Sequence, residues 1–315
     1  MCPPPVEPSA SLSHATDLPV PRISVLLPTR DRPIDLVRCT ESILACDHGS
    51  FELIVIDQSL EPARMTPDPR LRLVASATRG KSAALNEAIS VARADLLVFI
   101  DDDCTVTPNW LTDIEDVFAR SPGISMMFGN LQPIDHDPSA VFIPAAEMSK
   151  FEIVAGRGRA SLRGGAGASL ATRRSLFDHL IGFDELIGPG SRFSACEEYD
   201  LYYRALAGGF SVARVPSIVV RHWGARSYAD GSGRALLCAY AYGEGIVIGK
   251  HLHLRDPGML ITALRITVED LTEIGGNLLR GRLSGSGLTR VAFKWRGVVR
   301  ALVTPVDRRR RMFAA

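Results

Sequence analysis

A chain of 315 residues with 46% hydrophobic and 23% charged residues has the make-up of a folded globular protein, long enough for one large domain or two ordinary ones. A formal net charge of +1 argues against nucleic acid as a partner of the whole chain. The six cysteines (Cys2, Cys39, Cys46, Cys104, Cys196 and Cys238) form no C-x-x-C pair and no regular framework, so reduced thiols in a cytosolic protein are predicted, not zinc or disulfides.

Residues 1–21 are rich in Pro and Ser and lack an apolar run, which predicts a disordered lead-in and no signal peptide. Strand and helix patterns then alternate. Ile23–Leu27 is a short apolar run closed by Pro28, and helical spacing follows from Ile34 to Cys46. Leu53–Ile56 is a second buried strand with Asp57 at its carboxyl end, and Leu71–Val74 a brief third. Ser82 opens a helix with Leu85, Ala88, Ile89 and Ala92 on one face, before the strand Leu96–Ile100. A helix is expected over Trp110–Arg120 and a strand over Ile124–Gly129. Residues 145–165 read as an irregular, mobile Gly/Arg-rich loop, and Gly164–Ser169 leads into a strand and a helix over Arg174–His179. Helical spacing returns over Glu197–Gly208, and Val212–Val220 is strand-like. The last third is helical: 234–252, 257–280 and, after a flexible break at Gly281–Gly287, Leu288–Val303.

This order predicts an α/β fold, a mostly parallel sheet with helices on both faces and a C-terminal helical extension. Ligands bind such sheets beyond the carboxyl ends of the strands. Those ends carry Pro28-Thr29-Arg30, Asp57 and Asp101-Asp102-Asp103. Three adjacent carboxylates repel one another unless a cation lies between them. Mg²⁺ and Mn²⁺ prefer such oxygens and commonly share their shell with substrate phosphates. A solvated acidic turn is the plain alternative, and a triple that caps a buried strand disfavours it.

Five segments in order resemble a family-2 glycosyltransferase of the GT-A fold. They are Ser24–Arg32, Glu52–Ser59, Arg79–Asn86, the strand that ends in Asp101–Asp103, and Glu197–Leu201, with the likeness extending over roughly residues 22–225. The resemblance implies a GT-A catalytic domain over 22–232 and a C-terminal helical region over 233–315. It implies that Pro28, Thr29 and Arg30 line a nucleotide pocket and that Asp57 accepts the imide N–H of a uracil or thymine base; a strand-end turn residue is the alternative for Asp57. Gly80, Lys81 and Asn86 would sit at a helix start that favours an anion, with Lys81 against the diphosphate. Asp101 would face the ribose and Asp102 belongs with the same nucleotide-sugar residues. Asp103 would hold Mn²⁺ or Mg²⁺, and His222 would complete the metal shell or meet the diphosphate; a structural histidine is the alternative. Arg221 and Arg226 offer charge for a departing diphosphate. Glu198 stands at the position of the general base, where the family more often has aspartate. Leu85 and Ala88 also depart from the family's pattern. Gly164–Gly167 is similar to its acceptor-side segment.

The C-terminal helix has apolar residues at 288, 291, 295, 298, 299, 302 and 303, with Arg290, Lys294, Arg296 and Arg300 mostly off that face and a basic run at Arg308–Arg311. This pattern fits a helix on an anionic membrane surface, or one packed on the catalytic domain with a solvated tail. The expected activity is inverting transfer from a UDP- or dTDP-sugar to a hydroxyl of a saccharide or lipid-linked acceptor, in the cytoplasm or on the inner face of the membrane. A sugar nucleotidyltransferase is disfavoured because Pro28–Arg32 contains no glycine. A non-catalytic nucleotide-sugar-binding protein is disfavoured because Glu198 accompanies all three aspartates.

Overall fold

The computed structural model describes residues 19–156, 164–279 and 285–314; the predicted lead-in up to residue 18, residues 157–163 of the predicted loop at 145–165 and residues 281–284 of the predicted break at Gly281–Gly287 lie outside them. Strands β1 (Ile23–Thr29), β2 (Phe51–Asp57), β3 (Leu71–Ala75) and β4 (Leu96–Phe99) alternate with helices α1 (Pro33–Leu44) and α2 (Lys81–Val91). Next come β5 (Cys104–Val106), α3 (Trp110–Arg120), β6 (Ile124–Pro133), β7 (Val141–Phe142), β8 (Glu152–Ala155) and β9 (Leu170–Arg173). Helix α4 (Glu197–Ala207), β10 (Ser211–His222) and β11 (Arg226–Ser227) precede three long helices, α5 (Ser232–His253), α6 (Pro257–Leu279) and α7 (Gly285–Leu302). A hairpin of β12 (Val306–Asp307) and β13 (Met312–Phe313) closes the chain.

The main sheet runs β3-β2-β1-β4-β9-β6-β10-β5, with β8 also on β10. β3, β2, β1 and β4 are mutually parallel, as are β6 and β10, while β5, β8 and β9 are antiparallel to their neighbours. The sheet is therefore mixed on the side that holds the expected strand β9 and two short strands that were not expected, β5 and β8. β8 lies within the predicted mobile loop, and the predicted helix at Arg174–His179 is only a 3₁₀ turn at Arg174–Leu176.

Alternation along the strands divides the core. Leu26, Ile54, Ile56, Leu97 and Phe99 pack with α2 and α4. Val25, Leu27, Leu53, Val55 and Val98 pack with Leu36 and Ile43 of α1 and with Trp110, Ile114 and Phe118 of α3. Val247, Ile248, Met259, Ile266 and Val298 join the α2/α4 side, so the C-terminal helices share the core of the sheet. α7 approaches α5 closely: a Cβ on Gly245 would overlap the Lys294 carbonyl, and one on Gly297 the Tyr242 carbonyl. The C-terminal helix thus packs on the domain through one face and leaves the other open. Nor is the tail wholly solvated, since Arg311 pairs with buried Asp256 and Phe313 is buried.

Candidate active site

The parallel register Thr29↔Asp57 brings β1 and β2 to one sheet edge, and Asp101–Asp103 follow the end of β4. There a cavity of about 660 Å³ is lined by Pro28, Thr29, Arg30, Arg32, Gln58, Gly80, Lys81, Asp101–Asp103, Gly165–Ala168, Glu197, Glu198, His222 and Arg226. Its far wall comes from α5, α6 and α7 through Tyr240, Glu244, Asp270, Arg290 and Lys294.

The chain turns after Asp103 directly into β5, whose register pairs Cys104 with His222. That pairing sets His222 Nε2 at 3.1 Å from Asp103 Oδ1, while His222 Nδ1 donates to the Pro144 carbonyl at 3.0 Å. A backbone acceptor on Nδ1 fixes the ring so that Nε2 is the nitrogen offered to a metal. Burial opposes the charged form of His222, but the Asp103 hydrogen bond and charge outweigh it and raise its pKa. Burial likewise opposes ionisation of Asp103, yet His222, Arg32 and Arg226 bring it down to about 2. Gly224 leaves this pair open, because a Cβ there would overlap the Asp103 carboxylate and crowd His222 Nε2. An anionic oxygen, an imidazole nitrogen and open space beside them suit Mn²⁺ or Mg²⁺. Cys104 lies in the same group, but burial drives its thiol well above the usual range, so it is not the thiolate a metal takes.

Asp102 is different. Its carboxylate accepts from Thr29 Oγ1 at 2.8 Å and from Arg32 at 3.0 Å, and burial pushes it up to about 6. Arg32 also reaches Asp103 at 2.9 Å, so one guanidinium spans both acids. Asp101 pairs with Lys81 at 2.5 Å, and Lys81 also meets Glu197 at 3.1 Å. Burial would lower the Lys81 ammonium, but Asp101, Glu197 and Glu198 together hold it well above its ordinary value.

Glu198 projects from the first turn of α4, which begins at Cys196 in the left-handed region (φ 74°). Burial, then the Glu197 charge, pushes its carboxyl up to about 8 despite Lys81. The opposite loop approaches Glu198 at Gly167, where a Cβ would lie in ordinary contact, 3.5 Å from that of Glu198.

Two expected residues do not reach the cavity. Asp57 is fully buried, and its oxygens accept from the Ser59 and Ala63 backbone N–H groups at 2.9 and 2.7 Å. Its carboxylate is therefore spent on shaping its own loop, and the next residue, Gln58, lines the cavity instead. Gln58 Nε2 donates to Thr78 and Gly80, which leaves the amide oxygen as an acceptor. Asn86 holds Phe183 and Glu185 through both ends of its amide and ties down the loop that follows residue 181. At the start of α2 the Lys81 N–H is taken by the Pro189 carbonyl, so the ammonium, not that amide, faces the cavity. Arg221 is exposed and away from the cavity, which Arg226 lines. Arg32 and Gln58 stood within the recognised segments without a role, whereas nothing in the sequence pointed to Tyr240, Glu244 or Lys294.

Residues 24–179 match the family described as Glycosyl transferase family 2. That segment of the chain belongs to the family. The chain is 28% identical over 213 residues to the succinoglycan biosynthesis protein ExoO of Rhizobium meliloti (strain 1021), covering 63% of this chain and 59% of that protein. It spans less than two thirds of the length of the curated relatives it matches. Among solved structures it is similar to the mannosyltransferase PcManGT from Pyrobaculum calidifontis, in complex with GDP-Man and Mn²⁺. That match has a TM-score of 0.57 and 17% identity, covering 90% of this chain and 87% of the other. S. aureus TarS 1-349 in complex with UDP-GlcNAc gives a TM-score of 0.58 at 13% identity, covering 90% and 84%. The likeness is one of fold, and the fold is GT-A.

Proposed function

We propose that the chain is an inverting, metal-dependent glycosyltransferase that uses a UDP- or dTDP-sugar, with Glu198 as the general base. The observation that carries this reading is the placement of Glu198, with its carboxyl near 8, in one cavity with the Asp103–His222 pair and Lys81. Such a carboxylate is a stronger base than an ordinary glutamate and still ionises close to neutral pH. Once ionised, it takes the acceptor hydroxyl proton as the oxygen attacks the anomeric carbon. The new glycosidic C–O bond forms as the bond to the diphosphate oxygen breaks, and that oxygen keeps the electron pair. Mn²⁺ or Mg²⁺ held by Asp103 and His222 would supply Lewis-acid neutralisation of the leaving diphosphate. Lys81 and Arg226 contribute fixed positive charge on the same wall.

The amide oxygen of Gln58 takes over the part expected of Asp57, since it accepts the imide N–H of uracil or thymine as a carboxylate would. The ribose-facing role stays with Asp101, and Asp102, held by Thr29 and Arg32, orients the loop between them. The acceptor is a saccharide or lipid-linked hydroxyl compound of polysaccharide or cell-envelope synthesis, reached from the cytoplasm at the inner face of a membrane. The relationship to a succinoglycan biosynthesis protein supports this setting. A screen of nucleotide sugars for Mn²⁺-dependent binding and donor hydrolysis tests the proposal. Binding of a UDP- or dTDP-sugar is expected, and silence from all of them would overturn it.

A further inference from the structure

Among the described residues, nineteen large apolar side chains are exposed, and ten of them lie between positions 260 and 303. They are ordered. On α6, Leu260, Ile261, Leu264, Val268 and Leu271 are each more than half exposed, and at about 100° per residue they share an arc of about 100°. On α7, Leu288, Trp295, Val299 and Leu302 share a second arc of about 60°, continued just past the helix end by Val303, with Val299 60% and Val303 69% exposed. The faces opposite are the ones that pack: Met259, Thr262 and Ile266 on α6, and Lys294, Val298 and Ala301 on α7, are buried. The two helices touch through the Lys294–Asp270 ion pair. Core burial therefore does not explain these stripes.

The charge around the α7 stripe is one-sided, whereas α6 carries exposed Arg265 and exposed Glu269 together. Arg296 and Arg300 are exposed along one border of the α7 stripe, and Arg308, Arg309 and Arg310 are exposed just beyond its end. From Leu288 to the C-terminus the chain carries eight cationic side chains and one acidic one, Asp307. No helix among the described residues is long and apolar enough to cross a membrane. A half-buried tryptophan, an aliphatic stripe and a border of arginines are what a helix needs to lie in the boundary between headgroups and acyl chains.

We propose that the exposed faces of α6 and α7 form a docking surface for an anionic lipid bilayer, with the stripes in the acyl boundary and the arginines on the headgroups. The cavity wall uses other side chains of the same helices, Asp270, Arg290 and Lys294. Docking therefore sets the cavity about one helix diameter, ~10 Å, from the bilayer surface. This surface deepens the membrane placement proposed above and is separable from sugar transfer.

The test is co-sedimentation of the full chain with vesicles of phosphatidylcholine alone and of phosphatidylcholine mixed with phosphatidylglycerol. Binding to the mixed vesicles is expected at least roughly tenfold above that to the neutral ones and weakened by salt. Val268→Glu with Val299→Glu, both at exposed positions, should lower that binding by at least about tenfold and leave the melting temperature in place. Arg296→Gln with Arg300→Gln should lower it less and flatten the salt dependence. Nucleotide-sugar binding, measured on the same variants, should be unchanged, so failure of the surface and failure of the transfer reading are told apart. Absence of binding to the mixed vesicles overturns the proposal. So does a dimer in solution that the Glu variants split, which would assign the stripes to a second copy of the chain.

Discussion

Helix α4 carries charge on two faces, and the two behave differently. Toward the cavity it presents Glu197 and Glu198. Toward α5 it presents Asp200 and Arg204, both fully buried. On that inner side, Asp200 accepts from Arg204, Lys250 and His251 at 2.8, 2.8 and 3.0 Å, and Lys250 also reaches Asp184 at 2.7 Å. Asp256 takes Tyr203 and Arg311, which ties in the C-terminal hairpin. Three acids face three fixed cations there, and burial holds His251 neutral, down to about 4. The cavity is not balanced. Its lining holds eight carboxyl groups and six lysines and arginines, an excess of two acids, one of which, Glu198, stays protonated up to about 8. A closed, neutral cluster fixes structure, whereas an open one with negative charge to spare is built to receive a cation and a charged ligand.

The largest effect is expected from the inner cluster. Lys250→Met leaves Asp184 and Asp200 buried without their ammonium and should cost about 3–5 kcal/mol of stability, read by chemical denaturation. If its stability were unchanged, the claim that this cluster holds α4 would fail.

Glu198→Gln probes the other face. Transfer should fall by about 10²–10⁴-fold while donor binding is kept. Stability should move the opposite way. A carboxyl whose folded pKa is raised binds protons more tightly in the folded than in the unfolded state. Its contribution is thus complete below its ordinary value and is lost as pH rises toward about 8. The Gln variant should therefore melt higher than the parent, and by more at pH 9 than at pH 5. The parent's transfer rate should rise with pH through about 8. Asp200, depressed well below the ordinary carboxylate range by its cations despite burial, has the reverse sign: its contribution is lost only in acid. A single pH dependence for both faces would erase the contrast.

Asp103→Asn should weaken Mn²⁺ binding by about 10–100-fold in calorimetry, and should also lower the metal-free melting temperature at neutral pH, since Arg32 and His222 lose their carboxylate. Unaltered Mn²⁺ affinity would move the metal away from the Asp103–His222 pair. The smallest effect is expected at Gln58→Ala, where loss of one hydrogen bond, on the order of 1 kcal/mol, should raise the donor KM several-fold with kcat retained. An unchanged KM would remove Gln58 from base recognition.

Much of this was written in local pattern. Apolar runs of strand length with polar ends, and helical spacing between them, report burial on the scale of a few residues. β1 to β4, α1 to α3 and the acidic triple could therefore be placed from the sequence, and Glu198 was legible at the head of its helix. Asp57 and Asn86 turn away from the cavity for a physical reason: a sequence shows that a polar residue ends a strand or opens a helix, but not which way its side chain turns. Loop backbone claimed the first, and the 183–185 segment claimed the second. The pairing of Asp103 with His222 depends on β5 lying against the end of β10, a contact across more than a hundred residues. The wall of Tyr240, Glu244 and Lys294 depends on glycines that let α7 approach α5. The sequence by itself thus determined the order of elements, the carboxylates at the sheet edge and the glutamate at the head of α4 that we propose as the base. The tertiary structure alone decided which charges are closed off, which remain open to a ligand, and which apolar side chains the core leaves uncovered, because these are properties of packing between distant segments.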